Sequence, residues 1–378
     1  MRATARRARH DRAMLRGEHP RATRVLAVVL LLLLGVVAAG LVAAGNPGNM
    51  GLCGACFLRD LAGALRLHQG PSLVRPEVAG IALGALAWSL LRGRHVGRSG
   101  SHAVARFLLC AAMAVGALVF LGCPFRLLQR LGGGDPNAWL ALPGFVIGVG
   151  VALFFERRGY SLGKTSEVSL PVGLLGPIAL LAPLVAWWCG VAFAGPALGA
   201  DASTGPARAP WAIAFGLALL AGGALSATGF CAISAARSVF GGSRWMLFAA
   251  FAFVVGYAIA AMVTGRFHAD FEGQPIAHAD WLWNTLALVL VGACGAFAGG
   301  CPVRQIVMAG EGNGDAMVGC AGLVFGAAIA HGFGLVSTAT NASAAGGASA
   351  NGATAVVVLL ALVIVYAASV SRRAATPA

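Results

Sequence analysis

The sequence predicts an all-α integral membrane protein of about ten transmembrane helices, arranged as two inverted repeats with four short re-entrant helices. Three observations predict it: long apolar runs in a chain with few charges, basic residues gathered in alternate loops, and a cysteine-centred pattern that recurs at one fixed spacing. Hydrophobic residues make up 58% of the 378 and charged ones 11%, whereas water-soluble domains carry about 25% charged residues. A lipid-facing surface removes that requirement. The net charge of +14 does not point to nucleic acid, because it sits in the segments between the apolar runs.

Residues 1–24 hold eight Arg against Asp11 and Glu18. The apolar run that follows is longer than the roughly 7–15 residues of a signal-peptide core. The stretch therefore reads as an uncleaved cytoplasmic arm, solvated or touching anionic lipid. Crossing the hydrocarbon layer takes roughly 20 apolar residues, and ten spans meet that demand: 25–45, 74–92, 104–121, 138–155, 170–194, 210–228, 245–264, 284–299, 316–336 and 354–370. The loops 92–106, with Arg94 and Arg98, and 156–167, with Arg157, Arg158 and Lys164, fall on the side of the basic arm, as does the tail with Arg372 and Arg373. The loops 265–283, with Asp270, Glu272 and Asp280, and 337–352, without charge, fall on the other. This positive-inside bias predicts a multi-pass protein of a bacterial-type inner membrane with both termini cytoplasmic.

Gly51-Leu52-Cys53 answers to Gly229-Phe230-Cys231, and Arg59 to Arg237; Gly122-Cys123-Pro124 answers to Gly300-Cys301-Pro302, and Arg126 to Arg304. Each pair is 178 positions apart, as 53 to 231 and 123 to 301. The chain thus divides into a basic arm (1–24), a first membrane repeat (25–158), a linker with a connecting span (159–202), a second repeat (203–336) and a loop with a C-terminal span (337–378). An odd number of spans separates equivalent helices, so the copies enter the membrane with opposite orientation and a shared site is expected near its midplane.

Four pieces are too short or too Gly/Pro-rich to cross: Asn46 to Gly63, Gly122 to Asp135, Gly229 to Gly242 and Gly299 to Asp315. Non-spanning backbone at membrane depth needs protein or a wet cavity around it, so these are expected to line a central path. In Gly-Cys-Pro-x-Arg the Pro suits the first helical position and the Cys its cap, where free N–H groups and the helix dipole favour an anion. A thiol is a soft, weak donor, matched to a terminal sulphur or selenium atom. Cys53, Cys123, Cys231 and Cys301, with Arg59, Arg126, Arg237 and Arg304, are the expected substrate-path residues. Cys56, Asn46, Asn49 and His331 are secondary candidates.

Cys110, Cys189, Cys294 and Cys320 lie in plain apolar runs and read as packing residues. The Cys53-x-x-Cys56 spacing suits redox or metal chemistry, but the second copy has Ser234 in place of the second Cys. Gly159 to Thr165 lacks the spacing of a phosphate loop. His331 reads mainly as packing or hydrogen bonding, and Asp135 and Asp315 as helix caps.

At five strings the sequence resembles the YeeE/YedE sulphur-transport family, and in particular its YedE branch, associated with selenium. They are GNPGNMGLCGACFLRDLAGAL (45–65), LVRPEVAGIALGA (73–85), GALVFLGCPFRLLQRLGGGDPNA (116–138), FEGQPIAHAD (271–280) and GGCPVRQIVMAGEGNGDA (299–316). The resemblance covers roughly 45–336. It implies an importer with an hourglass-like path in which thiosulphate, or a related sulphur or selenium species, passes between the thiols of Cys53, Cys123 and Cys301. It also implies a small cytoplasmic sulphur-carrier protein as a partner. One segment departs from the family's form: Gly229 and Ser238 stand where an Arg and an Asp are expected.

The leading expectation is a transporter, not an enzyme, with no cofactor, no resident metal and no nucleic-acid partner; its partners are the lipid bilayer and a small sulphur or selenium anion. A membrane thiol oxidoreductase using Cys53 and Cys56, and a soft-metal channel with thiolate ligands, are the alternatives.

Overall fold

The computed structural model describes residues 21–93, 95–193, 207–340 and 346–375. The basic arm over 1–20, Arg94, residues 194–202 of the expected linker and the side chain of Arg373 lie outside the described residues. In chain order the helices are α1 (Arg21–Ala43), α2 (Gly54–Ala64), α3 (Pro76–Leu91), α4 (Ala103–Val119), α5 (Pro124–Gly132), α6 (Pro136–Arg157), α7 (Leu170–Trp188) and α8 (Trp211–Thr228). They continue as α9 (Ala232–Arg237), α10 (Trp245–Val263), α11 (Trp281–Phe297), α12 (Pro302–Gly310), α13 (Gly314–Gly332) and α14 (Ala350–Ala375). The only sheet among the described residues is a two-stranded ribbon, β1 (Gly97–Ser99) antiparallel to β2 (Ser166–Val168).

The protein is a mostly helical, multi-pass membrane protein. Among the described residues nine stretches are long and apolar enough to cross a bilayer. The expected span 74–92 is a 16-residue helix, which at 1.5 Å per residue reaches about 24 Å against a hydrocarbon layer of about 30 Å. The flanking Arg75 and Arg92, which extended the expected run, stand at its two caps. The C-terminal helix instead exceeds the expected 354–370.

Two long helices stop in the same way. After α4, Leu121 takes the left-handed conformation (φ 61°) and the Gly122 N–H donates to Ala117 O at 2.6 Å. After α11, Gly299 does so (φ 81°) and the Gly300 N–H donates to Gly295 O at 2.8 Å. Both are six-to-one helix ends, which satisfy otherwise orphaned carbonyls. A leucine in that region costs about 1–2 kcal/mol that glycine does not incur, here offset by burial of the Leu121 side chain. The chain then turns through an extended cysteine into a proline at the first turn of the next helix.

The closest helix pairings are α6 with α11, α4 with α13, α3 with α8 and α1 with α10. Glycines set them. Gly144 and Gly148 of α6 lie against the carbonyls of Thr285 and Val289, and Gly322 and Gly326 of α13 lie against those of Phe107 and Ala111. All four contacts repeat at a separation of 178. Likewise Gly222 meets the Ile81 carbonyl and Gly84 that of Leu219, while Gly35 meets the Phe253 carbonyl and Gly256 that of Leu32. With no hydrophobic force between helices in lipid, such close backbone approach supplies the packing that holds them. Every one of these pairings joins a helix from the first half of the chain to one from the second.

Candidate functional site

The four short helices begin at the four expected cysteines. Cys53 precedes α2, Cys123 α5, Cys231 α9 and Cys301 α12, each with extended backbone at the cap position. The Sγ atoms of Cys53 and Cys123 are 3.5 Å apart, and Cys231 Sγ accepts from the Cys301 N–H at 3.5 Å. Cys53 Sγ also accepts from the Cys56 N–H, at 3.4 Å.

The two pairs adjoin. Gly54, next to Cys53, packs on the backbone of Pro302 and Val303, next to Cys301; a side chain at 54 would push the two helix starts apart. The rings of Phe125 and Phe230, each beside a cysteine, meet edge to face with centroids 5.6 Å apart. Burial is near complete, at 0%, 0%, 3% and 0% exposure for Cys53, Cys123, Cys231 and Cys301, so no water-sized opening reaches three of the four. The four cysteines expected to line a path are thus packed together in the interior of the protein.

The expected arginines part company. Arg59 holds Asp60 through Nε (2.8 Å) and Nη2 (2.5 Å), and Asp60 also accepts from Arg75 Nε at 2.7 Å. Arg237 grips Glu156 through both Nη atoms, at 2.6 and 2.5 Å, and Arg304 grips Glu311 at 3.3 and 3.2 Å. Arg126 has no carboxylate among the described residues. Its Nη2 donates to the carbonyls of Gly48, Pro275 and Ile276 (3.0, 3.2 and 3.3 Å), its Nη1 points at Cys56 Sγ (3.7 Å), and its buried Nε lacks a partner. Removing a guanidinium from water without a counter-charge is costly, and neutral carbonyls are what offset that cost at Arg126.

Asn46 and Asn49 brace the site. Asn46 donates to Glu77 Oε1 at 2.8 Å and accepts from the Ala209 N–H at 2.9 Å; Asn49 accepts from the Tyr257 hydroxyl at 3.1 Å. His331 stacks on His68, with ring centroids 4.3 Å apart, and against Gly70.

Two expectations are corrected. Asp135 caps α6 by accepting from the Asn137 N–H, but the cap of α13 is Asn313, accepting from the Ala316 N–H. Asp315 instead accepts from the N–H groups of Gly100 and Ser101, tying α13 to the loop before α4. The motif reads Asp-Pro-Asn in one copy and Asn-Gly-Asp in the other, so the acid has changed place. Cys189, expected to pack as a buried residue, is exposed beside Leu184, Val185 and Trp188. It ends α7, a peripheral helix most of whose surface faces outward; Cys110, Cys294 and Cys320 are buried.

Sequence reasoning missed Glu156, Gln129 and Arg130, the last of them the partner of the Asp135 cap. Glu156 supplies Arg237 with the carboxylate that Ser238 cannot. Gln129 clamps the first cysteine loop to α5, with Oε1 accepting from the Gly51 and Leu52 N–H groups (2.8 and 3.1 Å) and Nε2 donating to Leu52 O (2.5 Å). Asp135 also holds Arg130 at 2.6 Å with both side chains fully buried. Among the described residues no three His, Cys, Asp or Glu side chains gather as a metal site.

No family model matches the chain, and no curated protein matches it.

Proposed function

We propose that the chain is a bacterial inner-membrane transporter of the YeeE/YedE kind, importing thiosulphate or a related sulphur- or selenium-containing anion past buried cysteine thiols. In this reading it crosses the membrane ten times, with α3 as the short tenth span, both termini are cytoplasmic, and two inverted repeats contribute four re-entrant helices to one path. The 178-residue register of the glycine contacts and helix ends supports the repeats.

The observation that carries the proposal is the meeting of Cys53 and Cys123 Sγ at 3.5 Å, each at the start of a short helix, beside Cys231 and Cys301, which start two further short helices and meet through the Cys301 N–H and Cys231 Sγ at 3.5 Å. An anion brought there faces N–H groups at helix starts, soft S–H donors and the uncompensated Arg126. Closure by the thiols themselves means that passage requires their side chains to swing aside one after another, which keeps the route shut to water and ions between events. The soft terminal atom of the substrate replaces each thiol–thiol contact as it passes. No covalent chemistry is required, and the protein acts as a carrier, not an enzyme. A small cytoplasmic sulphur-carrier protein is a fitting recipient.

Uptake of labelled thiosulphate and of selenium oxyanions into membrane vesicles tests the proposal. Cys53→Ala, Cys123→Ala and Cys301→Ala are expected to abolish uptake and Cys56→Ala to retain it. Loss in Cys56→Ala alone points to dithiol enzymology instead.

A further inference from the structure

We propose that Glu311 is a release residue: a tethered counter-anion that competes with the substrate for Arg304 and so makes the second-repeat end of the path weaker-binding than the buried Arg126 end. The inference rests on the transport reading above and adds to it an unequal treatment of the anion at its two ends.

Arg126 and Arg304 occupy one position of the repeat, 178 residues apart. Both stems cover the glycine before the motif cysteine, Gly122 in one copy and Gly300 in the other. Their charged ends differ. Arg126 is fully buried and held by three neutral carbonyls. Arg304 is held by Glu311, and the two side chains are 17% and 24% exposed. The first-repeat position equivalent to 311 is Gly133, which brings no charge.

A substrate anion at Arg126 displaces only neutral partners. At Arg304 it must displace a carboxylate that stays attached seven residues away and returns as soon as the anion moves off. Such a tethered competitor acts at an effective concentration in the millimolar range or above. Partly exposed ion pairs are weak, about 0.2–1 kcal/mol, so Glu311 can leave and return readily. The neighbouring arginines do not create this asymmetry between the two copies. Arg237 is held by Glu156 and its repeat counterpart Arg59 by Asp60, so both copies carry a carboxylate there, and Arg106 is taken up by Ser101 Oγ and the Ala298 carbonyl.

The test is Glu311→Gln, with Glu311→Asp as the charge-preserving control, in thiosulphate uptake by vesicles and in thiosulphate binding to purified full-length protein. Glu311→Gln is expected to lower the half-saturation concentration and the maximal rate together, each by up to about fivefold, the Boltzmann equivalent of the weak pair; Glu311→Asp stays near wild type. A second measurement needs no variant: Arg126 meets the expected outer loop 265–283 at Pro275 and Ile276, and Arg304 covers Gly300 near Arg106 of the expected cytoplasmic loop 92–106, so half-saturation by thiosulphate at the cytoplasmic face of inverted vesicles is expected to exceed that at the opposite face of right-side-out vesicles. Uptake with both constants unchanged or half-saturation raised in Glu311→Gln, or equal half-saturation at the two faces, overturns this inference alone. A wild-type chain with no saturable uptake overturns the transport reading and this inference with it.

Discussion

Replacing Arg126 by Gln removes the one motif guanidinium that has no carboxylate beside it among the described residues. Arg126 brings five donors to the site. Three carbonyls share Nη2, a thiol sulphur 3.7 Å away takes one hydrogen of Nη1, and Nε is unpartnered. At least one strong donor direction is therefore open to an incoming anion. A hydrogen bond to a charged group contributes about 1.5–3 kcal/mol, which corresponds to roughly a 10- to 150-fold rise in half-saturation when it is lost. Arg126→Lys keeps the charge and loses the fork, so it should fall between the two. The assay is initial-rate uptake of labelled thiosulphate, with gel filtration in detergent to verify that each variant is folded. A folded Arg126→Gln protein with wild-type half-saturation would refute the assignment of Arg126 to the anion.

Asp60→Asn leaves Arg59 and Arg75 without their shared carboxylate in a site where Arg75 and Asp60 are fully buried; a loss of about 3–5 kcal/mol is expected, visible as a large drop in melting temperature in detergent. Gly148→Val and Gly326→Val put a branched side chain against the Val289 and Ala111 carbonyls respectively. Each should cost at least about 1–3 kcal/mol, and the two should match; a cost at one position only would mean that the two pairings are not equivalent. Burial pushes the pKa of His68 and of His278 below the ordinary histidine value. Both stay neutral in the folded chain while the unfolded chain takes up protons below about pH 6.5, so stability present above that pH declines as the pH falls toward the lowered folded values. Melting temperature measured from pH 7.5 to pH 5 should drop, and less so in a His68→Asn, His278→Asn double variant.

The parts of this molecule written in local sequence were readable. Gly-Cys-Pro fixed a helix end, a cap and a helix start within three residues, and the common 178 spacing tied the two copies together. Gly144 and Gly148, with Gly322 and Gly326, carried a further signal, since small residues four apart in apolar runs mark close helix contacts. The pairing of charges was not readable. Arg237 and Glu156 stand 81 residues apart on different helices, and Glu156 looked like one more charge in a basic loop. Asp315 went astray because a cap and an acid two positions along a helix look alike in sequence but serve different backbones. The length of α3 was misjudged because Arg75 and Arg92 flank it closely enough to be counted into an apolar window.

The most direct test of the central claim is disulfide trapping in a chain that keeps Cys53, Cys123, Cys231 and Cys301 and carries Ala at the other five cysteines. Mild oxidation should link Cys53 to Cys123, as identified by mass spectrometry of the proteolysed protein, and should stop thiosulphate uptake until a reductant restores it. Oxidised protein that carries the Cys53 to Cys123 link and still transports at the unoxidised rate would contradict it, as would thiols that never cross-link.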